Sequence, residues 1–162
     1  MLDLKIESYF KLIFVISFVA IISAFFIEYI LGHQPCNLCL IERIPYGLSL
    51  ILIITNYATK INENFIILLL ILIYIFSFTI SVYHFGIEQG YFEESAVCGL
   101  KNAANIILKE EILIQLSKQT ISCKDVTFRI FGLSLTSINI IISLIIIIMS
   151  IKAYTKYEKN KS

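Results

Sequence analysis

The chain has 162 residues, of which 58% are hydrophobic and 15% are charged, and its mean hydropathy is +0.86. A soluble domain of this length would not need so much apolar surface, whereas a small helical membrane domain would. The net charge of +1 gives no indication of nucleic-acid binding.

The first apolar segment, residues 10–30, carries only Lys11 and Glu28 as charged side chains, one near each end. Its length is about the 20 residues that a helix needs to cross a bilayer. No small-residue cleavage site follows a short apolar core, so we interpret the segment as a retained membrane helix and not as a signal peptide.

A predicted short loop, residues 31–38, leads into the motif Pro35-Cys36-Asn37-Leu38-Cys39. Two cysteines separated by two residues can close a disulfide or hold a metal, and their potential depends on their surroundings. Arg43 follows Cys39 by four residues, so the two side chains share a face of a continuous helix. Because a guanidinium and a helix N-terminus both stabilise a thiolate, we expect Cys39 to be reactive.

The second apolar segment is short, since residues 44–58 lie between Arg43 and Lys60. Extended to residues 38–58 it can cross a bilayer, with Arg43 snorkelling to the interface and Pro45 early in the helix, where it does least harm. If the segment spans, both cysteine-containing loops share one side of the membrane. If it is re-entrant, they lie on opposite sides and cannot exchange electrons directly. Length and charge balance favour spanning.

Two further apolar segments without Asp, Glu, Lys or Arg complete a predicted set of four spans, residues 65–85 and 130–151. His84 ends the third span at the interface, where it either borders a ligand or has a structural role. Asn139, the most polar side chain of the fourth span, is expected to make a helix–helix hydrogen bond. The predicted fold is therefore a single all-α membrane domain over residues 1–162, a bundle of four transmembrane helices.

The second loop on the cysteine side, residues 86–129, is too long for a tight turn and contains Cys98 and Cys123. Within it, positions 100–118 mix apolar residues with charged ones, which predicts a short amphipathic helix on the membrane surface. The pair could also be a structural staple for a long loop.

Charge predicts the orientation of the bundle. The lysines of both termini and of the short loop at Lys60 are denser, and less offset by acids, than the basic residues of the loop at 86–129. The positive-inside rule then places both termini in the cytoplasm and all four cysteines outside it. Cysteines on that side are typical of an oxidising compartment.

The run Cys36-Asn37-Leu38-Cys39-Leu40-Ile41-Glu42-Arg43 resembles the signature of the DsbB family, bacterial membrane proteins that reoxidise the periplasmic thiol oxidase DsbA. The string C-x-L-C-x-x-E-R is quite specific, whereas a bare C-x-x-C is not. The resemblance extends to the four-span layout, to Tyr83-His84, to the paired cysteines of the second loop and to Phe131-Gly132-Leu133. It implies a multi-pass protein of the bacterial cytoplasmic (inner) membrane, with its cysteines in the periplasm.

The resemblance also implies a role for each cysteine. Cys98 would form the mixed disulfide with a reduced thioredoxin-fold oxidase of DsbA type, and Cys123 would be its partner. Cys36 and Cys39 would receive the electrons through exchange between Cys123 and Cys36. Cys39 would face a membrane quinone, ubiquinone or menaquinone, and Arg43 would hold that quinone and stabilise the Cys39 thiolate. The implied activity is quinone-dependent oxidation of protein thiols, which supports disulfide formation in exported proteins.

The alternative from another class is a cysteine-rich membrane metal-binding protein. Four cysteines with His33 and His84 could make a thiolate-rich zinc or copper site. Only one C-x-x-C is present, however, and Arg43 would compete with a cation, so redox chemistry is favoured.

A third interpretation is a purely structural membrane protein with two disulfides, in which Arg43 is only an interfacial anchor. That interpretation leaves the position of Arg43 next to the cysteines unexplained. Lability separates it from redox chemistry, because a structural bridge resists reduction whereas a catalytic pair cycles.

Overall fold

The structure is a computed structural model that describes residues 4–59, 63–93, 122–124, 129–130 and 132–161. These ranges contain four long helices: α1 Leu4–Tyr29, α2 Asn37–Thr59, α3 Glu63–Glu88 and α4 Leu135–Lys161. All four are long and apolar enough to cross a membrane. The predicted fold class, an all-α membrane protein with four spanning helices, is confirmed. The surface helix predicted at 100–118, together with Cys98, lies outside the described residues.

Each helix buries one face inside the bundle, and its opposite face is apolar too. α3 packs most extensively on α4 and also on α2, while α1 packs on α2 and, less extensively, on α4. The main core contains the fully buried Ile53, Leu70, Tyr74 and Ile146. Large hydrophobic side chains on the opposite faces are exposed, and on a membrane helix such side chains meet lipid instead of water.

α2 is one continuous helix of 23 residues, which is the geometry of a span and not of a re-entrant loop. One expectation is corrected, because Pro45 lies eight residues after the start of α2 and is buried in the helix interior. Proline has no N–H, so the carbonyl of Ile41 loses its helical partner there. Membrane helices tolerate such an interruption where neighbouring helices and side chains surround it.

A two-stranded antiparallel hairpin precedes the last helix, with β1 at Arg129–Ile130 and β2 at Leu133–Ser134. Gly132 turns it with a φ of 84°, a conformation that residues with a Cβ rarely adopt. Ser134 then accepts the backbone N–H of Ser137 at 3.2 Å and so caps α4. For these two reasons α4 begins at Leu135, later than the position 130 expected from hydropathy.

Candidate functional site

Cys36 and Cys39 lie where α2 begins. Cys36 directly precedes the helix, and its Sγ accepts the backbone N–H of Cys39 at 3.3 Å. A side-chain acceptor that binds the N–H three residues further on is the geometry of an N-cap, here made by sulfur. Both cysteines are free thiols with their Sγ atoms 2.8 Å apart. The pair is therefore placed to share a hydrogen and to close into a disulfide.

His84 approaches the pair from the last turns of α3. Its Nε2 lies 3.5 Å from Cys36 Sγ, and its Nδ1 lies 2.9 Å from Glu42 Oε1. Both His84 and Glu42 are buried. Glu42 follows Cys39 by three residues on α2, so it faces the same side of the helix about one turn deeper. The imidazole thus joins a buried carboxylate to a buried sulfur.

Asn139 holds the other oxygen of that carboxylate. Its Nδ2 donates to Glu42 Oε2 at 3.0 Å and to Ser81 Oγ at 2.7 Å, while Tyr46 Oη donates to its Oδ1. The expected helix–helix hydrogen bond of Asn139 is confirmed, and it connects α4 to both α2 and α3. A carboxyl group buried this deeply is costly unless its oxygens are bonded, and both oxygens of Glu42 are.

A second carboxyl group, that of Glu88, lies one turn beyond His84 on α3. Its Oε1 accepts a 2.5 Å hydrogen bond from Thr136 Oγ1 and lies 4.0 Å from His84 Nε2. Its Oε2 is buried and has no hydrogen-bond partner among the residues that the structure describes. A buried oxygen of this kind is ready to bind an incoming group.

The hydrogen-bond donors of the site converge on Cys36. The hydrogen bond with the Cys39 thiol lowers the pKa of Cys36 to about 4, and His84 and the Cys39 backbone N–H act in the same direction, against the opposing effect of burial. From the sequence we expected the helix N-terminus to favour a thiolate at Cys39. The N–H instead reaches Cys36, because that residue holds the capping position.

Arg43 points away from Glu42, toward α1. Its Nη1 donates to Glu28 Oε2, and its guanidinium lies 5.5 Å from the centre of the Phe25 ring. Both charged side chains are about four-fifths buried, with 20% and 21% of their surfaces exposed. Arg43 therefore fastens α2 to α1 at the level of the cysteines.

A cavity of about 460 Å³ opens beside the cysteine pair. Its walls are mainly apolar side chains of α1 and α4, among them Val15, Val19, Ile27, Ile138 and Ile142. One end is polar and is lined by Cys36, Cys39, Glu42, Arg43, His84 and Glu88. The arrangement is typical of small-molecule sites, in which a few polar groups orient a ligand within an apolar pocket.

Cys123 also lines this cavity and packs in the same buried cluster as Cys36. It is disulfide-bonded, in contrast to the two free thiols. The structure therefore brings three of the four candidate cysteines to one place, and Cys98 lies outside the described residues. His33 lines the cavity too, although among the described residues the cluster of possible metal ligands contains only Cys36, Cys39 and His84.

Sequence reasoning missed the roles of Glu28, Glu42 and Glu88. A signal existed for two of them, since Glu42 is spaced one turn after Cys39 and Glu88 one turn after His84. Glu28 was visible only as a charge near the end of the first apolar segment.

The family model described as "Disulfide bond formation protein DsbB" matches residues 7–153 of the chain. A protein of Rickettsia prowazekii (strain Madrid E), named "Uncharacterized protein RP370", is 28% identical over 139 residues, which make up 82% of this chain and 78% of that protein. No solved structure gives a significant match. The matched range 7–153 contains all four cysteines and every side chain of the polar end of the cavity.

Proposed function

The chain belongs to the DsbB family of disulfide bond formation proteins, and on that premise we propose that it is a quinone-coupled protein thiol:disulfide oxidoreductase. The family and the four apolar helices make it a multi-pass membrane protein of the thiol oxidoreductase kind. The proposed reaction takes electrons from a reduced thioredoxin-fold oxidase of DsbA type, regenerating the oxidase that introduces disulfides into exported proteins. The proposed location is the bacterial inner membrane, with both termini cytoplasmic and the cysteines periplasmic.

The observation that carries the proposal is the convergence of donors on Cys36. Exchange between disulfides requires a thiolate as attacker and a stabilised thiolate as leaving group. Cys36 Sγ has the Cys39 backbone N–H at 3.3 Å and His84 Nε2 at 3.5 Å, and both favour its thiolate. A purely structural disulfide does not need this arrangement.

The electron path begins at the second loop. In the proposed sequence, Cys98 accepts the attack of the reduced partner, and the partner leaves oxidised while Cys98 and Cys123 become a dithiol. The Cys123 thiolate then attacks Cys36 of a Cys36–Cys39 disulfide and releases Cys39 as a thiolate. Attack of Cys98 on Cys123 restores the second-loop disulfide and leaves both first-loop thiols reduced. The position of Cys123 and Cys36 in one buried cluster, on the wall of one cavity, supports the exchange step.

The residues present fit a quinone. The mainly apolar cavity suits a lipid-soluble ring, and Cys39 and Arg43 stand at its polar end, where they would hold the head group. A quinone bound there supplies the acceptor for the two electrons and two protons released when the pair closes.

His84 and Glu42 are the groups that would bind and release protons near the thiols. His84 Nε2 is placed to hold the proton shared with Cys36 Sγ, while Glu42 fixes the ring through Nδ1. Glu88 Oε1 lies 4.0 Å from Nε2, so it would exchange a proton with His84 only after the two side chains moved closer.

The test uses purified full-length protein in detergent with a reduced DsbA-type partner and a soluble quinone analogue. Quinone absorbance and the number of free thiols are followed together in wild type, in Cys39→Ser and in the control Leu48→Ala, which changes an exposed side chain of α2. We expect quinone loss to match partner oxidation in wild type and control and to stop in Cys39→Ser. Partner oxidation without quinone loss, or turnover that survives Cys39→Ser, would refute the proposal.

A further inference from the structure

We infer that the reduced Cys36–Cys39 pair forms, with His84, a binding site for a thiophilic divalent cation such as Zn²⁺, and that a bound cation holds the pair in its reduced state. The inference concerns the same side chains as the proposed function and adds a mode of regulation to it. It rests on the arrangement of the ligand atoms and not on the activity.

The three ligand atoms are already close together. Cys36 Sγ, Cys39 Sγ and a ring nitrogen of His84 all lie within 4.8 Å of one another. With zinc–sulfur and zinc–nitrogen bonds of about 2.3 and 2.0 Å, a sulfur and a nitrogen that are tetrahedral ligands stand about 3.5 Å apart. The observed distance from Cys36 Sγ to His84 Nε2 is 3.5 Å. The two sulfurs, now 2.8 Å apart, need to separate by roughly 1 Å.

The hydrogen bond that orients the His84 ring is also typical of a histidine that binds a metal. A histidine that binds zinc usually donates its other ring N–H to a carboxylate, which fixes the tautomer and the ring orientation. His84 Nδ1 has this partner in Glu42 Oε1 at 2.9 Å, and Nε2 faces the sulfurs. Asn139 in turn orients Glu42 through its other oxygen.

Glu88 lies next to His84 but outside the group of three ligand atoms, so it could become a fourth ligand only if its side chain moved closer to the sulfurs. Its Oε2 is buried without a hydrogen-bond partner among the described residues, and its Oε1 lies 4.0 Å from His84 Nε2. Two thiolates, an imidazole and a carboxylate are ligands that zinc accepts in four-coordinate sites.

The local charges favour a dication as well. From the sequence we expected Arg43 to compete with a cation, but its guanidinium is paired with Glu28 on the α1 side. The groups that face His84 from α2 and α3 are instead the carboxyl groups of Glu42 and Glu88.

Binding is coupled to the oxidation state of the pair. Metal–sulfur bonds form while any remaining thiol proton is released to solvent, and no electrons move. A disulfide has no thiolate to offer, so oxidation abolishes the site, and an occupied site leaves no thiolate free to close the disulfide.

The test is a titration of the full-length protein in detergent with Co²⁺ as a spectroscopic probe, without quinone or partner. Reduced wild type should bind one Co²⁺ per chain, with thiolate charge-transfer absorption and tetrahedral d–d bands, and Zn²⁺ should displace it. Oxidised protein should show none of this. Glu42→Gln should weaken binding by roughly 10–100-fold, and His84→Ala by at least as much. His33→Ala, the matched control, should bind as wild type does.

Binding to oxidised protein, equal affinity in His84→Ala, or absence of binding to reduced wild type would overturn the inference. X-ray absorption of zinc-loaded wild type makes the test independent of how variants fold, because a first shell of sulfur together with nitrogen is expected and a shell of one element alone contradicts it. The titration contains no quinone and no partner, so its result is independent of the quinone assay. A protein that binds the metal but does not reduce quinone would refute only the proposed function. A protein that reduces quinone but does not bind the metal would refute only the metal site.

Discussion

His84 Nε2 lies 3.5 Å from Cys36 Sγ, so a side chain near the end of α3 contacts the sulfur that caps the start of α2. The two residues are 48 positions apart in the chain. This contact favours the thiolate form of Cys36, and Glu42 keeps the imidazole ring in place by its hydrogen bond to Nδ1. Four predictions follow from the contacts around this pair and from the backbone that presents them.

The first prediction concerns the ionisation of Cys36. In reduced Cys39→Ser, whose serine hydroxyl can still donate to Cys36, we expect iodoacetamide to alkylate Cys36 at a nearly constant rate from about pH 8 to pH 6, where an ordinary thiol with a pKa near 8.5 is mostly protonated. The reason is that the thiolate persists until the pH falls toward the lowered pKa of Cys36, about 4. The rate is read by mass spectrometry. A midpoint near that of an ordinary thiol would contradict the structure.

The second prediction concerns Arg43 and its partner. Arg43→Ala should raise the KM for a soluble quinone analogue, and Glu28→Gln should raise it less, because the guanidinium remains but loses the carboxylate that orients it. Steady-state kinetics at saturating partner measure both. The control is Glu7→Gln, which breaks the exposed pair of Glu7 with Lys11 and should leave KM unchanged. An unchanged KM in Arg43→Ala would exclude the proposed role.

The third prediction concerns Asn139, whose hydrogen bonds connect α4 to α2 and α3. Asn139→Ala removes one hydrogen bond from each of Glu42 Oε2, Ser81 and Tyr46, and a buried polar group left unpaired costs roughly 1–3 kcal/mol. We expect the free energy of unfolding, measured by titration with a denaturing detergent, to fall by roughly 1–3 kcal/mol. Ile141→Ala, a truncation on the exposed face of α4, is the matched control and should cost much less. Equal losses in the two variants would contradict the network.

The fourth prediction compares two glycines. Gly132→Ala forces a Cβ onto a backbone with a φ of 84°, which costs about 1–2 kcal/mol. Gly47→Ala places a Cβ in α2 with no other atom within 4 Å and should stabilise the protein by roughly 0.5–1 kcal/mol. The same detergent titration gives both values, and opposite signs are the expected result. A stabilising Gly132→Ala would mean that the hairpin turn is not as described.

The sequence predicted the helical architecture well because the apolar runs are long and interrupted by few charges. It also indicated the cysteine motif and the neighbouring arginine, since their spacing is local. The start of α4 could not be predicted from hydropathy, because residues 130–134 are apolar enough for a span yet form a hairpin around Gly132.

Most of the site depends on how the helices are rotated about their axes, which a sequence read locally cannot give. Glu42 and Arg43 are adjacent, yet one faces His84 inside the bundle and the other faces Glu28 on α1. Local spacing therefore pairs Arg43 with Cys39, whereas the side chain that contacts Cys36 Sγ, His84, comes from α3, far along the chain.

The cap that Cys36 makes on α2 has a consequence for the direction of electron flow. Its hydrogen bonds are strongest when the sulfur is an anion, so they lower the free energy of the reduced pair and not that of the disulfide. A thiol pair whose reduced form is stabilised in this way is a stronger oxidant. We therefore expect the pair to take electrons readily from a thiol donor and to pass them only to an acceptor of higher potential.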